Sequence, residues 1–145
     1  RRQKQRMVDK LNKLLSFNIK NKTIAILGLS FKPNTDDIRE SPAKDIIKFI
    51  LDKGGSINAY DPVANDAMSK IFDKVNYCNS WKDACKNTNA VVVMTEWNEF
   101  RGIDLKILKR TLISPLILDT RNIFSVDKLK AIGFIYDNVG RNNIK

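Results

Sequence analysis

The stretch that decides the fold is TIAILGLSFKPNTDDIRESPAKDIIKFILDK, residues 23–53. Its first part, residues 23–29, is almost wholly apolar, which is typical of a strand buried on both faces. Its last part carries apolar residues at helical spacing, and Ser41 followed by Pro42 is a common helix start. Residues 31–41 between them form a charged loop of eleven residues, whereas a strand-to-helix connection usually takes about 2–6. Because such loops lie at the carboxyl ends of parallel strands, where ligands bind, we interpret this one as a binding loop.

The rest of the chain alternates between predicted strands and predicted helices. After the first strand, the sequence predicts strands over 56–60, 90–95, 115–119 and 134–139, with a possible short one at 75–78. It predicts helices over 42–53, 64–72, 104–112 and 126–132, and a brief one opened by the capping box that begins at Ser80. This alternation predicts an α/β fold, a Rossmann-like doubly wound parallel sheet of five or six strands.

A basic amphipathic segment precedes the sheet. Residues 1–16 place apolar side chains on one helical face and charges elsewhere, which predicts an N-terminal helix. No capping residue precedes Arg1, so the segment has the pattern of the end of a longer helix. We expect it to pack on this domain or on a neighbour, rather than to bind a membrane surface or nucleic acid.

Composition and charge exclude several classes of protein. The 145 residues suit one domain with a real core. The net charge of +10 is concentrated in residues 1–22, which hold eight basic and one acidic side chain, so we expect no nucleic-acid partner. No apolar run is long enough for a membrane span. With two cysteines and no histidine, the sequence predicts no metal site and a reducing, cytoplasmic location.

Polar residues follow the predicted strands at one edge of the sheet. Three cations, Lys32, Arg39 and Arg121, are among them, and they suit a phosphate or diphosphate near a helix start. The same edge should also carry Asp61, residues 95–97 and Asp119. The dinucleotide fingerprint needs three glycines where this chain has only Gly28, so we expect side chains to hold the ligand and no dinucleotide to bind here.

Each candidate ligand residue also has a purely structural interpretation. Lys32 is either a ligand residue or a solvated loop lysine. Arg121 either reaches a ligand or pairs with Asp119 across a strand end. Phe31 either belongs to the core or stacks on a flat ring.

For the remaining polar residues we favour structural roles. Asp36 and Asp37 are expected to cap the loop or to pair with Arg39, because no third metal ligand lies at suitable spacing. Asp61, which precedes a proline, is expected to form a turn. We expect Trp97 and Trp81 to be packing residues, and Cys78 and Cys85 to be unreactive because no basic residue near them would activate a thiol.

The stretch GLSFKPNTDDIRESP, residues 28–42, closely resembles the carboxyl-terminal domain of the UDP-glucose/GDP-mannose dehydrogenase family. The resemblance continues through AYDP at 59–62, VVVMTEWNEF at 91–100, LDTRN at 118–122 and GFIY at 133–136. It implies a three-domain, NAD-dependent enzyme that oxidises the C6 alcohol of a nucleotide sugar to a carboxylate. It further implies that 1–20 are the end of the central helix, which builds a homodimer, and that 21–145 form the UDP-sugar-binding domain.

The resemblance also implies roles for single residues. Phe31, Lys32 and Arg121 match substrate-binding positions, and Arg39 matches an arginine that reaches NAD bound to another domain. Thr120 stands where the family usually has glycine, which would be costly if that position takes a positive φ. The family's catalytic cysteine motif and its NAD fingerprint are not in this chain, so we expect no catalytic residue here and no activity from this chain alone.

The identity of the substrate stays open at this point. UDP-glucose is favoured, with UDP-N-acetylhexosamine or GDP-mannose as alternatives. A non-catalytic nucleotide-binding module is an alternative of a different class.

Overall fold

The computed structural model describes residues 2–139, and within them a single sheet of six parallel strands is flanked by helices. The strands are β1 (Thr23–Leu27), β2 (Ser56–Tyr60), β3 (Asn76–Tyr77), β4 (Ala90–Val93), β5 (Leu116–Asp119) and β6 (Ile135–Asn138). The helices are α1 (Arg2–Leu14), α2 (Ala43–Asp52), α3 (Asn65–Ser69), α4 (Trp81–Cys85), α5 (Asn98–Arg101), α6 (Leu105–Thr111) and α7 (Val126–Ile132). The predicted α/β class, the parallel pairing and the N-terminal helix are all confirmed.

The strand order is β3-β2-β1-β4-β5-β6, so the direction of winding reverses between β1 and β4. A doubly wound sheet binds ligands at such a reversal, outside the carboxyl ends of the strands. The whole connection over 28–42, which contains the predicted loop and is called the binding loop from here on, leaves β1 at this point, where this architecture favours a ligand.

Two hydrophobic layers cover the two faces of the sheet. On one face, α1 and α2 pack on the sheet, and Met7, Leu11 and Leu15 of the leading segment are buried there together with Ile46 and Ile50. The other face is covered by a cluster centred on helices α4 to α7. The leading helix therefore packs on its own domain, through the apolar face that the sequence predicts.

Several predicted boundaries shift, each for a local reason. Helix α1 ends at Leu14 rather than residue 16, because Ser16 and Phe17 take φ of 56° and 59°, which closes the helix. Helix α2 begins at Ala43 rather than residue 42, with Pro42 at the N-cap, and the N–H of Ala43 donates to the Ser41 hydroxyl at 3.2 Å. The short helix α5 was not predicted.

Arg1 and residues 140–145 lie outside the described part of the chain. The start of the predicted helix over 1–16 and the end of the predicted domain over 21–145 are therefore not described. Among the described helices, none is long and apolar enough to cross a membrane.

Candidate functional site

The binding loop begins at a close approach to the loop that follows β4. Gly28, directly after β1, has φ of +99°, and a Cβ there would lie 2.5 Å from both the Cβ and the backbone nitrogen of Thr95. Only glycine fits this backbone geometry without a shift. The Thr95 hydroxyl then donates to the carbonyl of Ser30 at 2.7 Å, so the loop after β4 fixes the start of the binding loop.

Asp61, at the carboxyl end of β2, is the main anchor of this edge. Its side chain is 2% exposed, and its Oδ2 accepts from the backbone N–H of Leu29 (2.7 Å), the backbone N–H of Ser30 (3.0 Å) and Nε1 of Trp97 (3.1 Å). Its Oδ1 accepts from the N–H groups of Val63 and Ala64, both at 2.9 Å. Asp61 therefore forms the predicted turn before α3, and it also holds the binding loop, a role that sequence reasoning missed.

The rest of the binding loop is closed by its own hydrogen bonds. The N–H of Phe31 donates to the carbonyl of Asp37 at 2.8 Å, and the Ser30 hydroxyl donates to the carbonyl of Lys32 at 2.8 Å. These bonds turn Phe31 and Lys32 outward, and the Phe31 side chain is 45% exposed. Phe31 is thus available to a ligand rather than part of the core.

Arg39 pairs with Asp37 within the same loop. Its Nε and Nη2 donate to the two carboxylate oxygens at 3.0 and 2.8 Å, and the backbone N–H of Arg39 donates to Oδ1 as well. The hydrogen bonds from the Arg39 side chain, and then that from its backbone, lower the pKa of Asp37 to about 2. The Arg39 side chain is 86% exposed, so the pair lies in solvent.

Arg121 pairs with a glutamate from a neighbouring strand end. Its Nε donates to Oε1 of Glu96 at 2.9 Å and its Nη2 to Oε2 at 3.0 Å. Partial burial is the largest single influence on the pKa of Glu96 and would raise it. The hydrogen bonds from Arg121, a backbone hydrogen bond and the charges of Arg121 and Arg101 outweigh burial only together, and the net shift is downward. Asp119 instead accepts the backbone N–H groups of Arg121 (3.2 Å) and Phe124 (2.9 Å). The alternative pairing of Arg121 with the Asp119 side chain is therefore not formed.

Thr120 occupies its position without strain. It is absent from the residues with positive φ, and the positive φ of this loop belongs to Asn122, at 57°. The Thr120 side chain is buried, and its hydroxyl donates to the carbonyl of Val93. The cost that a positive φ would impose on threonine at this position is therefore absent.

An open cleft of about 460 Å³ lies between the binding loop, the loop after β5 and helix α1. It is lined by Gln3, Lys4, Met7, Phe31, Lys32, Glu40, Pro42, Thr120 and Arg121. It brings together three of the four predicted site residues, and only Arg39 is outside its lining. Cations from three separate elements, Lys4, Lys32 and Arg121, face one space, which suits a diphosphate.

The contribution of α1 to this cleft was not predicted. Lys4 lies 3.5 Å from Asp45 of α2 and is half exposed, so it can reach a ligand in the cleft. The sequence signal was the basic face of the leading helix, but only the packing of α1 across the sheet places that face beside the strand ends.

Other cavities in the described residues are less suited to a nucleotide. One of about 460 Å³ lies by α6 and α7 on the opposite layer, and another of about 600 Å³ lies near the first residues of β5 and β6. Neither contains a residue of the binding loop. Both cysteines are free, and burial raises the pKa of Cys78 and raises that of Cys85 to about 12, which opposes a nucleophilic role.

Comparisons with known proteins match the chain to one family. The model of the UDP binding domain of the UDP-glucose/GDP-mannose dehydrogenase family matches residues 25–126. The UDP-glucose 6-dehydrogenase of Rickettsia bellii (strain RML369-C) is 42% identical over 136 residues, which cover 92% of this chain and 31% of that protein. The UDP-glucose 6-dehydrogenase TuaD of Bacillus subtilis (strain 168) is 38% identical over 145 residues, which cover 99% of this chain and 31% of TuaD.

Solved structures give the same picture of the fold. The UDP-glucose dehydrogenase of the archaeon Pyrobaculum islandicum superposes with a TM-score of 0.77 at 25% identity, covering 93% of this chain and 29% of that chain. The NDP-N-acetyl-D-galactosaminuronic acid dehydrogenase of Methanosarcina mazei Go1 superposes with a TM-score of 0.82 at 24% identity, covering 95% and 29%. The chain thus spans about a third of the length of the proteins it resembles.

Proposed function

This chain belongs to the UDP-glucose/GDP-mannose dehydrogenase family, as its UDP binding domain, and we propose that the cleft between the binding loop and α1 holds the UDP part of UDP-glucose. The observation that carries this proposal is the meeting of Lys32 and Arg121, from loops after β1 and β5, in a cleft also lined by the exposed Phe31. Lys32 supplies a point charge to a phosphate, Arg121 supplies directed N–H groups, and Phe31 supplies a flat apolar face.

Within this proposal Arg39 serves a different ligand. It is the one predicted site residue outside the lining of the cleft, and its pairing with Asp37 holds the guanidinium in solvent. Such a position suits contact with a group carried by another domain. We therefore assign Arg39 to the NAD of the full-length enzyme, and Phe31, Lys32 and Arg121 to the UDP-sugar.

The proposed activity of the full-length protein is the NAD-dependent oxidation of UDP-glucose to UDP-glucuronate. The first two relatives are named UDP-glucose 6-dehydrogenase and are three times as long, which supports NAD-binding and central domains outside residues 1–145. We further propose that residues 1–20 end a central helix, that the enzyme is a homodimer, and that it acts in the cytoplasm, where free Cys78 and Cys85 would stay reduced.

The test is calorimetric titration of the chain with UDP, UDP-glucose, GDP and NAD. We expect UDP to bind, and Lys32→Ala and Arg121→Ala each to weaken it about tenfold or more, because a hydrogen bond from a charged group contributes roughly 1.5–3 kcal/mol. The matched controls are Lys70→Ala and Arg110→Ala, which remove exposed cations that do not line the cleft. Affinity unchanged by both site substitutions would place the phosphates elsewhere, and GDP binding tighter than UDP would favour the GDP-mannose alternative.

A further inference from the structure

We propose that Glu96 is a positioning residue for the ligand, because it holds the Arg121 guanidinium in the orientation that the diphosphate requires. This inference rests on the proposed function of the cleft and extends it to a residue that does not line the cleft. Glu96 follows β4, and Arg121 follows the adjacent strand β5. The two side chains therefore meet across neighbouring strand ends, 25 residues apart in the chain.

The pairing uses only one edge of the guanidinium. Arginine presents five N–H donors in a fixed fork, and Glu96 accepts from Nε and from one proton of Nη2. The Nη1 group and the second Nη2 proton form the other edge, which remains for a second bidentate acceptor. Arg121 can thus bind Glu96 and a phosphate together, with one edge toward each.

Glu96 is itself held by the residues on either side of it. The Thr95 hydroxyl donates to the carbonyl of Ser30, and the Trp97 indole donates to Asp61. The three side chains of this turn therefore contact three different loops of the site. Thr95 contacts the binding loop, Glu96 the loop after β5, and Trp97 the loop after β2. The Glu96–Arg121 pair is therefore attached to the same turn that holds the carbonyl of Ser30, whose hydroxyl donates to the carbonyl of Lys32.

The opposing possibility is that Glu96 competes with the ligand for Arg121. In that case Glu96 would act as a negative charge that repels a diphosphate, and removing it would tighten binding. We favour positioning for two reasons. The Glu96 carboxylate is already paired with Arg121 through two hydrogen bonds, so the cation that lies between it and a ligand on the other edge offsets its charge. A long side chain that is ordered only on binding can lose about thirtyfold in affinity to rotamer entropy, and the pair removes part of that loss.

The experiment measures UDP affinity by calorimetry for wild type, Glu96→Ala, Glu96→Gln, Arg121→Ala and the double variant Glu96→Ala/Arg121→Ala. We expect Glu96→Ala to weaken UDP roughly fivefold, since only part of the rotamer entropy is at stake. Glu96→Gln keeps one acceptor and should fall between wild type and Glu96→Ala. In the Arg121→Ala background, the further change to Ala at 96 should not weaken UDP at all, because Glu96 acts through Arg121.

Two controls separate positioning from charge and from stability. Glu40→Ala removes a carboxylate that lines the cleft without holding Arg121, so it reports how UDP affinity responds to lost charge alone. A melting curve for each variant shows whether the fold is kept; if Glu96→Ala melts early, Glu96→Gln supplies the comparison.

The outcomes distinguish this inference from the proposed function. UDP binding that is weakened by Arg121→Ala but is unchanged or tighter in both Glu96 variants would overturn the inference and leave the proposed function standing. The same holds if Glu96→Ala weakens UDP equally with and without Arg121. A wild-type chain that binds no UDP would overturn the proposed function and the inference together.

Discussion

Replacing Asp61 by asparagine tests whether this one carboxylate holds the ligand edge together. Asp61 is buried and accepts five hydrogen bonds, three on Oδ2 and two on Oδ1. Asparagine has a single oxygen, and its NH₂ group would face backbone N–H donors that also need an acceptor. Even if the amide oxygen takes the three-donor side, the N–H groups of Val63 and Ala64 lose their partner.

The size of the effect follows from those two lost bonds. A hydrogen bond to a charged group contributes roughly 1.5–3 kcal/mol, so the loss should be about 3–6 kcal/mol in the free energy of unfolding. A domain of this kind is stable by only about 5–15 kcal/mol, so the variant should be close to unfolding. No cation neutralises Asp61 among its hydrogen-bond partners in the described residues, so the prediction depends on backbone and indole donors alone.

The assay is urea unfolding followed by far-UV circular dichroism, with Asp73→Asn as the matched control. Asp73 is exposed, and its change should stay within about 0.5 kcal/mol of wild type. A loss below about 1 kcal/mol for Asp61→Asn, with an unchanged slope against urea, would refute the reasoning that these bonds carry the edge.

Two further predictions concern the binding loop. Gly28→Ala should lower the free energy of unfolding by about 2 kcal/mol or more in urea, because Gly28 has φ of +99° and a Cβ there would lie 2.5 Å from Thr95. The control Gly102→Ala should have little effect, since a Cβ at Gly102 would meet its nearest atom at 3.7 Å. Arg39→Ala should return the pKa of Asp37 from about 2 toward its ordinary value in an NMR titration, and UDP affinity should stay within about 0.5 kcal/mol. Because the fold lowers the pKa of Asp37, wild type should lose stability relative to Arg39→Ala as the pH falls from about 4 to 2. Acid unfolding of wild type and Arg39→Ala along the same curve would contradict the pairing.

The fold could be predicted from the sequence because its signals are local. The apolar runs of β1 and β4 and the helical stripe of α2 each lie within one short segment, and their alternation determines the parallel pairing. The possible strand predicted over 75–78 has the weakest pattern, and the structure shows only two residues of it in the sheet, as the edge strand β3. Its ladder is set by its neighbour β2 rather than by its own pattern.

The candidate site could be predicted only in part. Lys32 lies in the loop after β1 and Arg121 in the loop after β5, so the topology alone brings them to one edge. The roles of Asp61 and Lys4 depend on contacts with distant segments: Asp61 holds Leu29, 32 residues away, and Lys4 enters the cleft because α1 crosses the sheet. The spacing of apolar residues within one segment carries no information about contacts between distant segments. Thr120 gives the opposite case, in which the sequence suggested a strain that the structure lacks. The residue with positive φ in this loop is Asn122 and not Thr120.

The position of Asp61 also explains why this sheet, with the strand order of a dinucleotide-binding fold, has its cleft elsewhere. In such folds an acidic residue at the end of the second strand binds the ribose of the dinucleotide, and glycines let the pyrophosphate approach the first turn. Here the acid after β2 is 2% exposed and is occupied by five donors of its own chain. That side of the edge is closed to a ligand. The open space lies instead between the binding loop, the loop after β5 and α1. There the side chains of Lys4, Lys32 and Arg121 supply positive charge, in place of the backbone N–H groups that a glycine-rich turn would bring close to a pyrophosphate.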